Sequence, residues 1–135
     1  MTASQRSVEL TLLAATAAAD KKAENILAID VSEQLAITDV FLICSATSDR
    51  QVRAIVDAVE EALDAVDVDP VRREGERSGR WVLLDYLDFV VHVQHVEERR
   101  FYSLERLWQD CPVIPLPEIG IEESPDPASA GTPGA

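Results

Sequence analysis

The stretch "GRWVLLDYLDFVVHVQH", Gly79 to His95, places two aspartates, Asp85 and Asp88, close to two histidines, His92 and His95. Carboxylates and imidazoles at such short range are the groups of general acid–base catalysis or of a metal site. Either chemistry needs them on one surface. "RWVLLDY" and "DFVVHVQH" read as two strands joined by a tight turn. A two-residue turn at Tyr86-Leu87 sets Asp85 opposite Asp88, Leu83 opposite Val90 and Trp81 opposite His92. Residues opposite one another share a sheet face. One face then carries Trp81, Leu83, Asp85, Asp88, Val90, His92 and Gln94. The other carries Val82, Leu84, Phe89, Val91, Val93 and His95, and is the more apolar, hence the core side. His92 and His95 are an odd number apart, point to opposite faces and cannot readily share a metal. Asp85 and Asp88, placed opposite, repel mildly. A partner bringing Lys or Arg would relieve that. The mixed face suits a basic protein surface better than a reaction.

A second candidate is "ICSATSDRQ", Ile43 to Gln51, a strand, a Ser-containing turn and a helix start. Backbone N–H groups there could meet a phosphate, as in the opening of a nucleotidyltransferase. That chemistry needs a Gly-Ser pair and a nearby Asp-x-Asp. The turn has no Gly-Ser, and the one Asp-x-Asp, Asp67-Val68-Asp69, sits at a helix end beside Pro70. No P-loop, G-x-G-x-x-G or G-x-S-x-G occurs. Cys44 and Cys111 are far apart, with no C-x-x-C, and read as reduced thiols of a cytosolic protein. The expectation is a binding protein, not an enzyme, with no metal and no cofactor.

The elements that position these residues follow from periodicity. Ser7 to Lys21 reads as a helix with Ser7 as N-cap. Its segment Leu10 to Asp20 follows Arg6 and ends in A-x-A, as a secretory peptide does. Against that, Glu9 cancels Arg6, and Val8, Leu12, Ala15 and Ala19 fall at helical spacing. "NILAIDVS" and "DVFLICSA" are strands, the second apolar on both sides and so central. In the next helix, Ser48 and Gln51 form a capping box, and Val52, Ile55, Val56, Val59, Leu63 and Val66 make one stripe. "VRREG" is a short strand, and "EERRFYSLERLWQD" is helical, broken near Ser103. The order predicts a single α/β domain over residues 1–111, with one mixed sheet of about five strands flanked by helices. Residues 112–135 hold six of the seven prolines and read as a Pro/Gly-rich tail, largely disordered.

Asp plus Glu number 25 against 12 Lys plus Arg, a formal charge of −13. Such a surface repels phosphates, which disfavours direct DNA or RNA binding and anionic membranes, and attracts basic protein.

Three blocks, "ITDVFLICSATSDRQVRAI", "GRWVLLDYLDFVVHVQH" and "EERRFYSLERLW", together resemble the ribosomal silencing factor family, RsfS or Iojap, over roughly Val8 to Ile114. The resemblance implies a nucleotidyltransferase-like fold without catalytic carboxylates. It implies binding to ribosomal protein L14 on the large ribosomal subunit, a block on subunit joining, and lowered translation in nutrient shortage or stationary phase. Large-subunit assembly is the alternative role, and a nucleotide-binding enzyme a third. It also implies a cytoplasmic protein that can pair as a homodimer. Family binding residues match Trp81, Tyr86 and Asp88; the face pattern adds Leu83, Asp85 and His92. Leu87 departs from the family pattern, where many members have Gly.

Overall fold

The chain runs α1 (Gln5–Asp20), β1 (Glu24–Asp30), β2 (Val40–Ala46), α2 (Asp49–Asp64), β3 (Arg72–Glu74), β4 (Trp81–Asp85), β5 (Phe89–His95), α3 (Val96–Tyr102), α4 (Leu104–Leu107) and β6 (Val113–Ile114). The structure, a computed structural model, describes residues 2–116. The strands form one open sheet in the order β3-β4-β5-β2-β1-β6. Only β2 and β5 run parallel, side by side in the middle. The expected mixed α/β fold is therefore present, with six strands where about five were expected.

The additional strand is β6, whose Val113 and Ile114 pair with Ile29 and Ala28. The boundary expected at Pro112 is thus not where the sheet ends, and Leu116 is fully buried. Two residues after a proline in a Pro/Gly-rich run give no strand periodicity; pairing with a strand distant in sequence decides it. The expected disorder further along lies outside the described residues.

The Ser48 cap forms as expected: its side chain accepts from the Gln51 N–H at 3.1 Å. The box does not close as expected, because Gln51 Oε1 accepts from the Thr47 N–H at 2.8 Å instead of from Ser48. The Gln51 amide nitrogen donates to the Lys21 and Lys22 carbonyls at 3.0 and 3.1 Å. One side chain so joins the end of α1 to the start of α2. On α2, Val52, Ile55, Val56, Val59 and Leu63 are buried, while Val66, beyond the helix end, is exposed.

In α1 the N-cap is Ser4, not Ser7, and accepts from the Ser7 N–H at 3.1 Å. Ser7 is buried one turn in, its hydroxyl donating to Asp39 at 3.1 Å. The buried row is Leu10, Ala14, Ala15 and Ala18, offset from the expected Val8-Leu12-Ala15-Ala19 line. Small side chains on that row let α1 lie close against α2. No helix of the described residues is long and apolar enough to cross a membrane.

Both long helices cover one face of the sheet. Leu42, Cys44, Val82, Leu84, Phe89, Val91 and Val93 point into that core with the helix residues. Burial pushes the Cys44 thiol up to about 12, so it stays protonated and acts as a small apolar side chain. The opposite face is covered only in part. Over its β1–β2 half, Ile29, Val31 and Ile43 lie under Leu35, Phe41, Leu104 and Trp108. The β4–β5 half is left more open, and carries the residues singled out above.

Candidate functional site

The hairpin of β4 and β5 turns one residue later than expected. Its register is Asp85 to Val90, Leu83 to His92 and Trp81 to Gln94. Tyr86 and Phe89 close the ladder, the Tyr86 N–H donating to the Phe89 carbonyl at 2.9 Å. The turn residues are Leu87 and Asp88. Sliding the turn by one residue slides the pairing by two, so every side chain keeps its face. Trp81, Leu83, Asp85, Val90, His92 and Gln94 share one face, as expected, and Val82, Leu84, Phe89, Val91 and Val93 share the core face.

The expected opposition of Asp85 and Asp88 does not occur. Asp85 instead braces the turn: Oδ1 accepts from the Leu87 N–H at 2.8 Å, and Oδ2 pairs with Arg72 at 3.3 Å. The Asp88 N–H donates to the Tyr86 carbonyl at 2.8 Å, two residues back, with Leu87 at φ 73°. This is a γ-turn of the strained hand. A leucine there costs about 1 kcal/mol relative to a glycine, and Leu87 still stands 58% exposed. Asp88 is exposed at the tip with no side-chain partner among the described residues, while its carbonyl accepts from the Asp39 N–H at 2.8 Å.

Tyr86 lies apart from the other candidates. It is buried on the helix side, stacked on Phe89 with ring centroids 4.8 Å apart and planes 9° from parallel. Burial, with Glu60 nearby, raises its hydroxyl well above the ordinary range. It holds the turn from behind and does not reach the mixed face.

His92 is also buried, but beneath the mixed face. The Trp81 indole N–H donates to His92 Nδ1 at 3.2 Å. A nitrogen that accepts is unprotonated, so the neutral ring carries its hydrogen on Nε2. Burial lowers the His92 pKa to about 4, and the imidazole is neutral at pH 7. Its Nδ1 is taken up by that hydrogen bond, which fixes the indole. Trp81, half-buried, also lies against Tyr102 of α3 at 5.0 Å between centroids. His95 leaves the sheet as the N-cap of α3, its Nδ1 accepting from the Glu97 N–H at 3.1 Å. The two histidines are on opposite faces, as strand parity required. Among the described residues no three of His, Cys, Asp and Glu are grouped to hold a metal.

Sequence reasoning missed the wall opposite the hairpin. Leu35, Ile37, Thr38 and Phe41, from the β1–β2 connection and the start of β2, stand across from Leu83 and Val90. Ile37 is 81% exposed. The one local signal was the apolar trio Leu35-Ala36-Ile37 inside the otherwise polar run "SEQLAITD". Arg72 of β3 was likewise unforeseen, because nothing local pairs it with Asp85.

The family model described as ribosomal silencing factor during starvation matches residues 4–133. The ribosomal silencing factor RsfS of Bacillus subtilis (strain 168) is 44% identical over 111 residues, which cover 82% of this chain and 93% of that protein. The mouse protein named mitochondrial assembly of ribosomal large subunit protein 1 is 33% identical over 91 residues, 65% of this chain and 40% of its own. A crystal structure of a Chromobacterium violaceum protein superposes with TM-score 0.73 at 37% identity, covering 75% of this chain and 84% of that one. The chain belongs to the ribosomal silencing factor family.

Proposed function

We propose that this protein binds the large ribosomal subunit through ribosomal protein L14 and sterically blocks joining of the small subunit. Translation falls as a result, under nutrient limitation or in stationary phase. The protein works in the cytoplasm by occupancy and not by catalysis. The observation that carries this reading is the half-open sheet face of β4–β5 in a chain of this family.

Trp81, Leu83, Asp85 and Asp88 form the contact. A large aromatic held by its own hydrogen bond loses little freedom on binding, which suits an interface anchor. Asp85 is already engaged by Arg72, which Glu74 shares, so Asp88, exposed at the tip, is the acid that meets a basic side chain of the partner. His92 acts from beneath, through Trp81, and Tyr86 acts by holding the turn. The excess of 25 acids over 12 bases opposes general adhesion to RNA and rewards docking on a basic protein patch. If two copies pair through the same face, homodimer and ribosome binding compete.

The mouse relative's name favours a second reading, a role in large-subunit assembly. One experiment separates the two. Purified protein is titrated into ribosomes, and the subunits are resolved by sedimentation. Loss of joined ribosomes with mature subunits is expected, and Trp81→Ala and Asp88→Lys should each require at least tenfold more protein. Unchanged joining at saturation, with immature large subunits accumulating on deletion of the gene, would favour assembly.

A further inference from the structure

The open face contains a cavity of about 230 Å³, between the hairpin and the β1–β2 connection. Leu83 and Val90 form one wall, Ile37 and Phe41 the other, and Leu87 and Asp85 stand at the mouth. Two lining residues carry buried polar atoms with no hydrogen-bond partner, His92 Nε2 and Thr38 Oγ1. His92 is 5% exposed and Thr38 7%. A buried donor left without an acceptor is destabilising, so a ligand that accepts this hydrogen bond recovers that cost on binding.

The chemistry of the occupant follows from the lining. The walls are apolar, so most of it is apolar. The Trp81 contact leaves His92 with a donor, so the occupant presents an acceptor. A cation would meet the Arg72 guanidinium in the lining and a donor, not an acceptor, at His92, while Asp85 is already engaged by Arg72 and the Leu87 N–H. An anion would find Arg72 in the lining, but that guanidinium is already held by Glu74 and Asp85, and a chain of charge −13 repels the anion. A cavity of about 150 Å³ is enough for a benzene ring, so this one takes a whole side chain. Leu83, Asp85 and Leu87 belong both to the cavity and to the hairpin surface, so a protein seated on the hairpin covers the opening.

We infer that the cavity seats one neutral, largely apolar side chain of the ribosomal partner, whose single acceptor bonds His92 Nε2–H. This rests on the function proposed above, and names the specificity pocket of that contact.

Pyridine and benzene at pH 8 are matched probes, alike in size and differing in one acceptor nitrogen. Both are titrated into the full chain, followed by the NMR signals of the His92 ring and the Thr38 and Val90 methyls. Saturable shifts at all three sites are expected with pyridine. His92→Phe should weaken pyridine at least fivefold and leave benzene within twofold. No saturable shift with either probe overturns the site, and equal weakening of both probes overturns the acceptor. In parallel, Val90→Phe fills the cavity, and Leu83→Phe fills it from β4 should the first variant not fold. Either should cut binding to purified large subunits at least tenfold. Subunit binding unchanged by a folded filling variant that excludes benzene overturns the partner as occupant. Failure of the wild-type chain to bind large subunits at all sinks the proposed function itself, whatever the probes do.

Discussion

Alternate residues of β4 and β5 build two surfaces of opposite finish. On the helix side, Val82, Leu84, Phe89, Val91 and Val93 are at most 2% exposed, closed over by α1 and α2. On the other side, Trp81, Leu83 and Asp85 are half-exposed, over a buried layer that includes His92 and Gln94. The polar atoms differ too. His92 Nε2, Thr38 Oγ1 and both Gln94 amide atoms are buried without partners, against Tyr86 Oη in the helix-side core. Native cores satisfy such atoms. The helix side is finished by the chain's own residues, and the open side has the makings of a surface that another molecule completes.

The contrast is broken most severely by truncating matched leucines on adjacent positions. Leu84→Ala should cost about 2–5 kcal/mol, because a fully buried leucine leaves a cavity in a packed core. Leu83→Ala, beside it but facing out, should cost under about 1 kcal/mol. Urea unfolding of both variants measures the difference. Equal losses would mean that the open face is as much core as the other.

A comparable effect should appear with pH. The folded pKa of His92 is lowered to about 4, below its unfolded value near 6.5. As pH falls through 6.5 the unfolded chain takes up this proton and the folded chain does not, so stability is lost. The loss runs from about pH 6.5 to pH 4 and reaches about 3 kcal/mol. Carboxylates contribute to acid unfolding as well, so the measurement is the difference between wild type and His92→Phe. The wild type should lose more over that window, and parallel curves would show that His92 is not buried neutral.

Much of this contrast is legible in the sequence alone. The α2 stripe and its Ser48 cap are local patterns, and they formed nearly as expected. Face parity survived a misplaced turn because a one-residue slide of the turn moves the pairing by two. Asp85 facing Asp88 did not survive, because it depended on the turn position itself. Tyr86 came from the family resemblance and from no face pattern; as the residue closing the ladder it is buried on the core side. What the sequence hid was non-local: Arg72 reaching Asp85 from β3, Ile37 across the cavity, and β6 pairing with β1 from a stretch without periodicity. Those contacts are set by sheet order, which no short window contains.

The open face as the ribosome contact is tested most directly by one chemical change made on both sides of the molecule. Leu87 on the hairpin and Leu13 on α1 are both exposed leucines, at 58% and 38%. Each is replaced by lysine, and affinity for purified large ribosomal subunits is measured. Leu87→Lys brings a positive charge against a basic partner and should weaken binding at least tenfold, while Leu13→Lys binds within about twofold of wild type. Equal affinities, or loss of binding at Leu13 alone, would contradict the assignment of the open face.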